Sequence, residues 1–242
     1  MKFTLPKIKK LIEQSKTMGD IGHPLMDECY KWYQDLVGHP NPYYKLFYLL
    51  SKEFKPGFVV ELGSYRATAS GHLAVGHSQS IVVAIDIHKD MPQQQPDKDA
   101  AQFAAQAIPN LFYINKWSIP SPAKIYGGQN AVSDIAAYNR QIDILFIDAW
   151  HKDEYVKEEW ELYSPLLADE ALVICDDVFN NVGNFAGMEE WWADFKYDKF
   201  LNSEVHPGVP MGFMKFERKN VKSKTTTKKT STTRKTTQAA KK

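Results

Sequence analysis

The sequence predicts an α/β protein: a doubly wound, mostly parallel sheet with helices on both faces, closed by an antiparallel last strand and preceded by a helical extension. Three observations predict it. Five short apolar runs, FVVEL (58–62), IVVAID (81–86), LFYIN (111–115), IDILFID (142–148) and ALVICDD (171–177), recur at intervals that each leave room for a crossover helix. The runs are apolar at nearly every position, as strands covered on both faces are. Three of them stop at acid, namely Asp86, Asp148 and the pair Asp176 and Asp177, and parallel strands deliver their last residues to the sheet edge where ligands bind.

At 242 residues the chain can bury a full core and is most simply one domain with additions. Its hydrophobic fraction of 43% and aromatic fraction of 13% are those of a folded body, which excludes a wholly disordered chain. The net charge of +1 hides an asymmetry: residues 218–242 hold ten of the 30 Lys and Arg and none of the 29 acids, so residues 1–217 carry 20 cations against 29 acids, a net −9. Two cysteines, Cys29 and Cys175, make no disulfide framework, and Cys175 inside an apolar strand reads as a small core residue. No apolar stretch is long enough to span a bilayer, and MKFTLPKIKKLIEQ alternates charged with apolar residues where a signal peptide has an apolar core. These features predict a soluble protein of a reducing, cytoplasmic compartment.

Residues 1–55 read as a helical N-terminal extension. Ile8, Leu11 and Ile12, then Tyr44, Leu46, Phe47, Leu49 and Leu50, recur at helical spacing, punctuated at Gly22 to Pro24 and Gly38 to Pro42. Such an extension commonly covers a substrate site, or it simply packs onto the core.

The first strand runs into Gly63, Ser64, Tyr65, Arg66 and Ala67, a tight strand-to-helix turn in which Gly63 permits a turn or a close ligand approach. This is not a GxGxxG fingerprint, because Tyr65 and Ala67 stand where that motif wants small residues, and a nicotinamide oxidoreductase is disfavoured accordingly. Glu61 just before the turn suits a cationic ligand group better than a pyrophosphate. Asp86 ends the next strand where an acid commonly holds ribose hydroxyls, so turn and acid together favour a nucleoside cofactor. His88 follows closely enough to line the same pocket.

At the ends of the fourth and fifth runs, Asp148, Asp176 and Asp177 meet His151, a set that suits a hard divalent cation such as Mg2+ beside a general base. Blander readings stand beside this one: either aspartate of the pair could cap a helix, and His151 could cap or pack. Trp150 could offer a stacking wall to an acceptor, while Trp160, Trp191 and Trp192 read as helix core. Residues 179–192, FNNVGNFAGMEEWW, suit a substrate loop with Asn180 or Asn181 as polar contacts. KFLNSEV and MGFMKFER, either side of His206 to Pro210, read as an antiparallel pair. Residues 219–242 hold one strongly apolar residue, Val221, and read as a disordered basic tail, either a nonspecific tether or a contact for polyanions.

Three segments carry a family resemblance: VVELGSYRATASGHLA, AIDIH, and above all DILFIDAWHKDEYVKEEWELYSPLLADEALVICDDV. They resemble the class I S-adenosylmethionine-dependent methyltransferases, and within them the metal-dependent sugar and macrolide O-methyltransferases and the branch labelled cephalosporin hydroxylase. The likeness covers about residues 55–217, with the methyltransferase domain at 56–217, and is specific between Asp143 and Asp177. It implies a Rossmann-like sheet of seven strands, the last antiparallel. It also implies that Glu61, Gly63 and Ser64, with Tyr65 in the same turn, approach the methionine end of S-adenosylmethionine, Asp86 the ribose, and Trp117 with Ser118 the adenine. Two departures are visible. Ala67 stands where many members have Gly, and Asn115 to Trp117 where an acid before Ser118 is frequent, so adenine recognition would lean on stacking or backbone contacts.

The expected chemistry is methyl transfer to a hydroxyl of a sugar or glycosylated small molecule. Asp148, Asp176 and Asp177 would hold the cation against the acceptor oxygen, and His151 would take its proton. Two alternatives remain at this stage. One is a metal-independent methyltransferase acting on a phenol or a nitrogen; the other is a nucleotide- or nucleic-acid-associated binding module using the tail. The acidic body argues against nucleic acid as the methylated substrate.

Overall fold

A computed structural model describes residues 3–37, 43–88, 93–179, 188–204 and 210–218. Three helices lead: α1 (Leu5–Thr17), α2 (Pro24–Val37) and α3 (Tyr43–Phe54). Strands and helices then alternate as β1 (Phe58–Leu62), α4 (Thr68–Gly76), β2 (Ile81–Asp86), α5 (Gln95–Ala107) and β3 (Leu111–Asn115). They continue as α6 (Pro120–Tyr126), α7 (Val132–Ala137), β4 (Ile142–Ile147), α8 (Asp153–Tyr163), β5 (Leu167–Cys175), α9 (Glu189–Asp194), β6 (Lys199–Asn202) and β7 (Met211–Glu217).

One seven-stranded sheet results, in the order β3-β2-β1-β4-β5-β7-β6. Strands β1 to β5 run parallel, and β7 is inserted antiparallel to both β5 and β6. The fold is thus the Rossmann-like α/β sheet with an antiparallel closing strand. Strand order reverses between β1 and β4, and a crevice at such a switch point is where ligands bind in open α/β sheets. Register sets what lines it. Leu62 pairs with Ile147 and Ile147 with Cys175, so Gly63, Asp148 and Asp176 emerge side by side. Strand β5 begins at Leu167, earlier than its apolar run, because the pairing with β4 shifts register between Ile142 and Ile144.

Side-chain alternation along the strands divides the core in two. Val59, Ile144, Phe146, Leu172, Ile174 and Phe213 face the side covered by α1, α3, α4 and α5, where Ile8, Leu46, Phe47 and Leu50 pack. Phe58, Val60, Leu62, Leu145, Ile147, Val173 and Cys175 face the other side, with Val156, Tyr163, Trp191 and Trp192. The N-terminal extension is therefore part of the main core. In α1, Ile8, Leu11, Ile12 and Ser15 recur at helical spacing as its buried stripe, and Pro6 sits in the first turn, where its missing N–H costs nothing. Helices α3 and α4 meet backbone to backbone at Gly76, where a Cβ would lie 2.5 Å from the Tyr48 carbonyl oxygen. Among the described residues no helix is long and apolar enough to cross a membrane.

Candidate active site

The turn after β1 is built on left-handed backbone. Gly63 has φ 84°, and a Cβ there would stand 2.1 Å from the carbonyl oxygen of Asp148, so the position combines an unfavourable angle with no room for a side chain. Ala67 also lies in the left-handed region, at φ 57°. The Gly63 and Ser64 N–H groups donate to the Ile85 carbonyl at 2.9 and 3.0 Å, and the Tyr65 N–H donates to the Asp86 carboxylate, which ties the turn to the end of β2. Glu61, only 1% exposed, accepts the Ser70 N–H at 3.0 Å and the Ser70 hydroxyl. Burial pushes its carboxyl up to about 8 despite those hydrogen bonds.

A cavity of about 340 Å³ runs along the strand ends, walled by Gly63, Asp86, Trp117, Ser118, Asp148 and Glu159 among others. Trp117 donates its indole N–H to the Gly127 carbonyl at 2.8 Å, and Ser118 donates its hydroxyl to Glu159 at 2.6 Å. Lys116 also lines this cavity, paired with Asp134 at 2.8 Å. Trp150, 42% exposed, forms the rim, edge-on to Trp117 with ring centroids 5.9 Å apart and packed against Tyr155 at 5.0 Å. It lines the larger cavity.

A second cavity, of about 170 Å³, lies under the N-terminal helices, lined by Tyr33, Tyr43, Tyr44, Glu61, Ser64, Tyr65, Arg66, Asp148 and Asp176 among others. Asp148 belongs to both walls. Tyr43, at the start of α3, donates its hydroxyl to Asp148 Oδ2 at 3.1 Å. Burial and then the Asp148 charge hold the Tyr43 phenol far above its ordinary range, so it stays protonated and a donor.

His151 stands between two aspartates. Its Nε2 faces Asp148 Oδ1 at 3.2 Å and its Nδ1 faces Asp177 Oδ2 at 3.1 Å. Burial lowers the imidazole, but the two carboxylates outweigh it and raise the ring to about 10, so the side chain is an imidazolium at neutral pH. Burial and then the charge of Asp176 raise Asp148 to about 7, against the opposing pull of His151. The acid pair lies beyond the end of β5: Asp177 has φ 51° and is followed by a bend, so no helix starts there for it to cap. Three carboxylates at one rim suit a hard divalent cation by donor type. Among the described residues, however, no group of three or more His, Cys, Asp or Glu is arranged to hold a metal ion, and the imidazole lies between Asp148 and Asp177.

Of the residues singled out in the sequence, Gly63, Asp86, Trp117, Ser118 and Asp148 line the larger cavity, and Glu61, Ser64, Tyr65, Asp148 and Asp176 the smaller one. His88 is not among the residues lining the larger cavity; it is buried, with Nδ1 against the Tyr113 hydroxyl at 2.6 Å. Asn180, Asn181 and residues 219–242 lie outside the described residues. Sequence reasoning missed Tyr43, Tyr155 and Glu159. Only Glu159 had a local signal, as an acid at helical spacing between the buried Val156 and Tyr163.

Residues 60–178 match a family model described as a methyltransferase domain. No curated protein matches the chain. Solved structures with the same fold include a methyltransferase from Geobacter sulfurreducens, 19% identical over 88% of this chain and 98% of that one, with a TM-score of 0.55. An O-methyltransferase from Bacillus cereus in complex with SAH is 13% identical over 87% of this chain and 100% of that one, with a TM-score of 0.57. The O-methyltransferase TomG from Streptomyces achromogenes, involved in tomaymycin synthesis and in complex with SAM, is 13% identical over 90% and 100%, with a TM-score of 0.57.

Proposed function

We propose, from the methyltransferase domain that residues 60–178 match, that this chain moves the methyl group of S-adenosylmethionine to a hydroxyl of a small molecule. One observation carries this reading: Asp148 lies on the wall common to a long cavity at the switch point and a smaller one beneath the N-terminal helices. A nucleoside donor in the first and an acceptor in the second would bring their reacting atoms together at Asp148, the proximity that transfer needs. SAM and SAH in the structural neighbours support the choice of donor.

The acceptor oxygen attacks the sulfonium methyl, the carbon–sulfur bond breaks with its electrons passing to sulfur, and the hydroxyl proton must leave. Without a cation Asp148, raised to about 7, is able to receive a proton near neutrality, a role it gives up when it holds one, and Tyr43 holds its Oδ2 in place. With its pKa raised to about 10 between Asp148 and Asp177, His151 would act as a base only after losing a ring proton. A divalent cation, magnesium by donor type, would be held by Asp148, Asp176 and Asp177 and would supply Lewis acidity at the acceptor oxygen and positive charge among the carboxylates.

We read residues 1–55 as the cover of the acceptor site, since Tyr33, Tyr43 and Tyr44 line it. The tyrosines with Arg66 offer flat apolar faces beside polar edges, which suits a sugar or glycosylated acceptor; the same faces favour a phenol as second reading. Calorimetry with S-adenosylhomocysteine, with and without Mg2+, on the wild type and Asp148→Ala, followed by an acceptor screen in the presence of chelator, tests the whole. The expected result is nucleoside binding, turnover lost at least a hundredfold with chelator, and no metal response in the variant. Tight NAD binding without S-adenosylhomocysteine binding would sink the donor assignment.

A further inference from the structure

We propose that Glu159 selects the base of the nucleoside, accepting a hydrogen bond from an exocyclic amino group with its Oε2. The inference rests on the S-adenosylmethionine reading above. Glu159 sits on α8 and is 1% exposed, yet it lines the larger cavity. Its two oxygens are used unequally. Oε1 takes the Ser118 hydroxyl at 2.6 Å, whereas Oε2 is buried and has no hydrogen-bond partner among the described residues. A buried carboxylate oxygen without a partner is costly, and structures that keep one generally complete it with a ligand or water.

The surroundings say what the ligand group must be. Lys116, the one cation on this wall among the described residues, is paired with Asp134. Ile119, Pro122 and Tyr155 line the same cavity and give a planar base an apolar enclosure. The Tyr163 hydroxyl donates to the Ser118 carbonyl at 2.7 Å and fixes the segment that Glu159 holds. Gly63 and Asp148, at the ends of β1 and β4, mark the reacting end and Asp86 the ribose, which leaves the Ser118–Glu159 wall for the base. Burial raises the Glu159 carboxyl to about 7, so above that pH its free oxygen accepts from the amino group of adenine and meets the carbonyl oxygen of hypoxanthine lone pair to lone pair.

The test compares S-adenosylhomocysteine with its hypoxanthine counterpart, S-inosylhomocysteine, by calorimetry on the wild type and Glu159→Gln. The wild type is expected to bind the adenine form at least tenfold more tightly. In Glu159→Gln, whose amide nitrogen can donate to a carbonyl, the ratio is expected to fall within threefold or to invert. Equal wild-type affinity for the two nucleosides overturns the role of Glu159 without any variant, and an unchanged ratio in a folded Glu159→Gln does so independently. A wild type that binds neither overturns the cofactor reading, and this inference with it.

Discussion

Asp148 lines both cavities, and the tyrosine that donates to it comes from far away in sequence. The Tyr43 hydroxyl reaches it across 105 positions, so Tyr43→Phe removes one charge-assisted hydrogen bond and leaves the ring packing against Phe47 intact. Such a bond is worth roughly 1.5–3 kcal/mol, so Tyr43→Phe should lower the melting temperature, and steady-state kinetics should show kcat/KM falling about tenfold to a hundredfold. Glu61 gives a pH prediction of definite sign. Its carboxyl is raised from 4.5 to about 8, chiefly by burial, so the folded state holds a proton that the unfolded chain has released over that window. Stability therefore falls as pH rises from 4.5 to 8, and Glu61→Gln, which cannot ionise, should gain in melting temperature relative to the wild type from pH 5 to pH 8. A constant difference across that range would contradict the assignment. At this scale the strand-end acids were legible because each closes an apolar run, whereas nothing around Tyr43 marks it as polar machinery.

At the scale of elements, the strands were readable because burial on both faces demands unbroken apolar runs. The start of β5 was not, since Leu167 to Glu170 join the sheet only through the register shift opposite Ile142 and Ile144. Helix α3 is the element whose role changed most. Phe47 is fully buried, its ring centroid 4.8 Å from that of Phe146 on β4, so the helix that carries Tyr43 is anchored on the strand that ends in Asp148. Phe47→Ala should cost about 3–5 kcal/mol in denaturant unfolding, the usual cost of emptying a buried phenylalanine site. Because α3 also lines the smaller cavity, which we propose for the acceptor, that variant should lose acceptor affinity more than S-adenosylhomocysteine affinity.

For the whole molecule, the acidic body and basic C-terminal segment pull in opposite directions. Residues 1–217 carry a net −9 and residues 218–242 a net +10, so the body repels polyanions that the C-terminal segment attracts. Deleting residues 219–242 should leave turnover on a small acceptor within twofold of the full chain, and a larger loss would assign the segment a part in the site. Alternation of apolar runs with helical stretches fixed the parallel sheet, and acid at the strand ends marked the functional edge. Both are determined by the sequence alone, because strand burial and strand termination are local properties of the chain. The sequence did not determine which wall each acid faces, that His151 lies between Asp148 and Asp177, or that Tyr43 and Glu159 enter from separate helices. Those facts follow from register across β1, β4 and β5 and from helix packing on the two sheet faces, which bring together side chains that no local pattern relates.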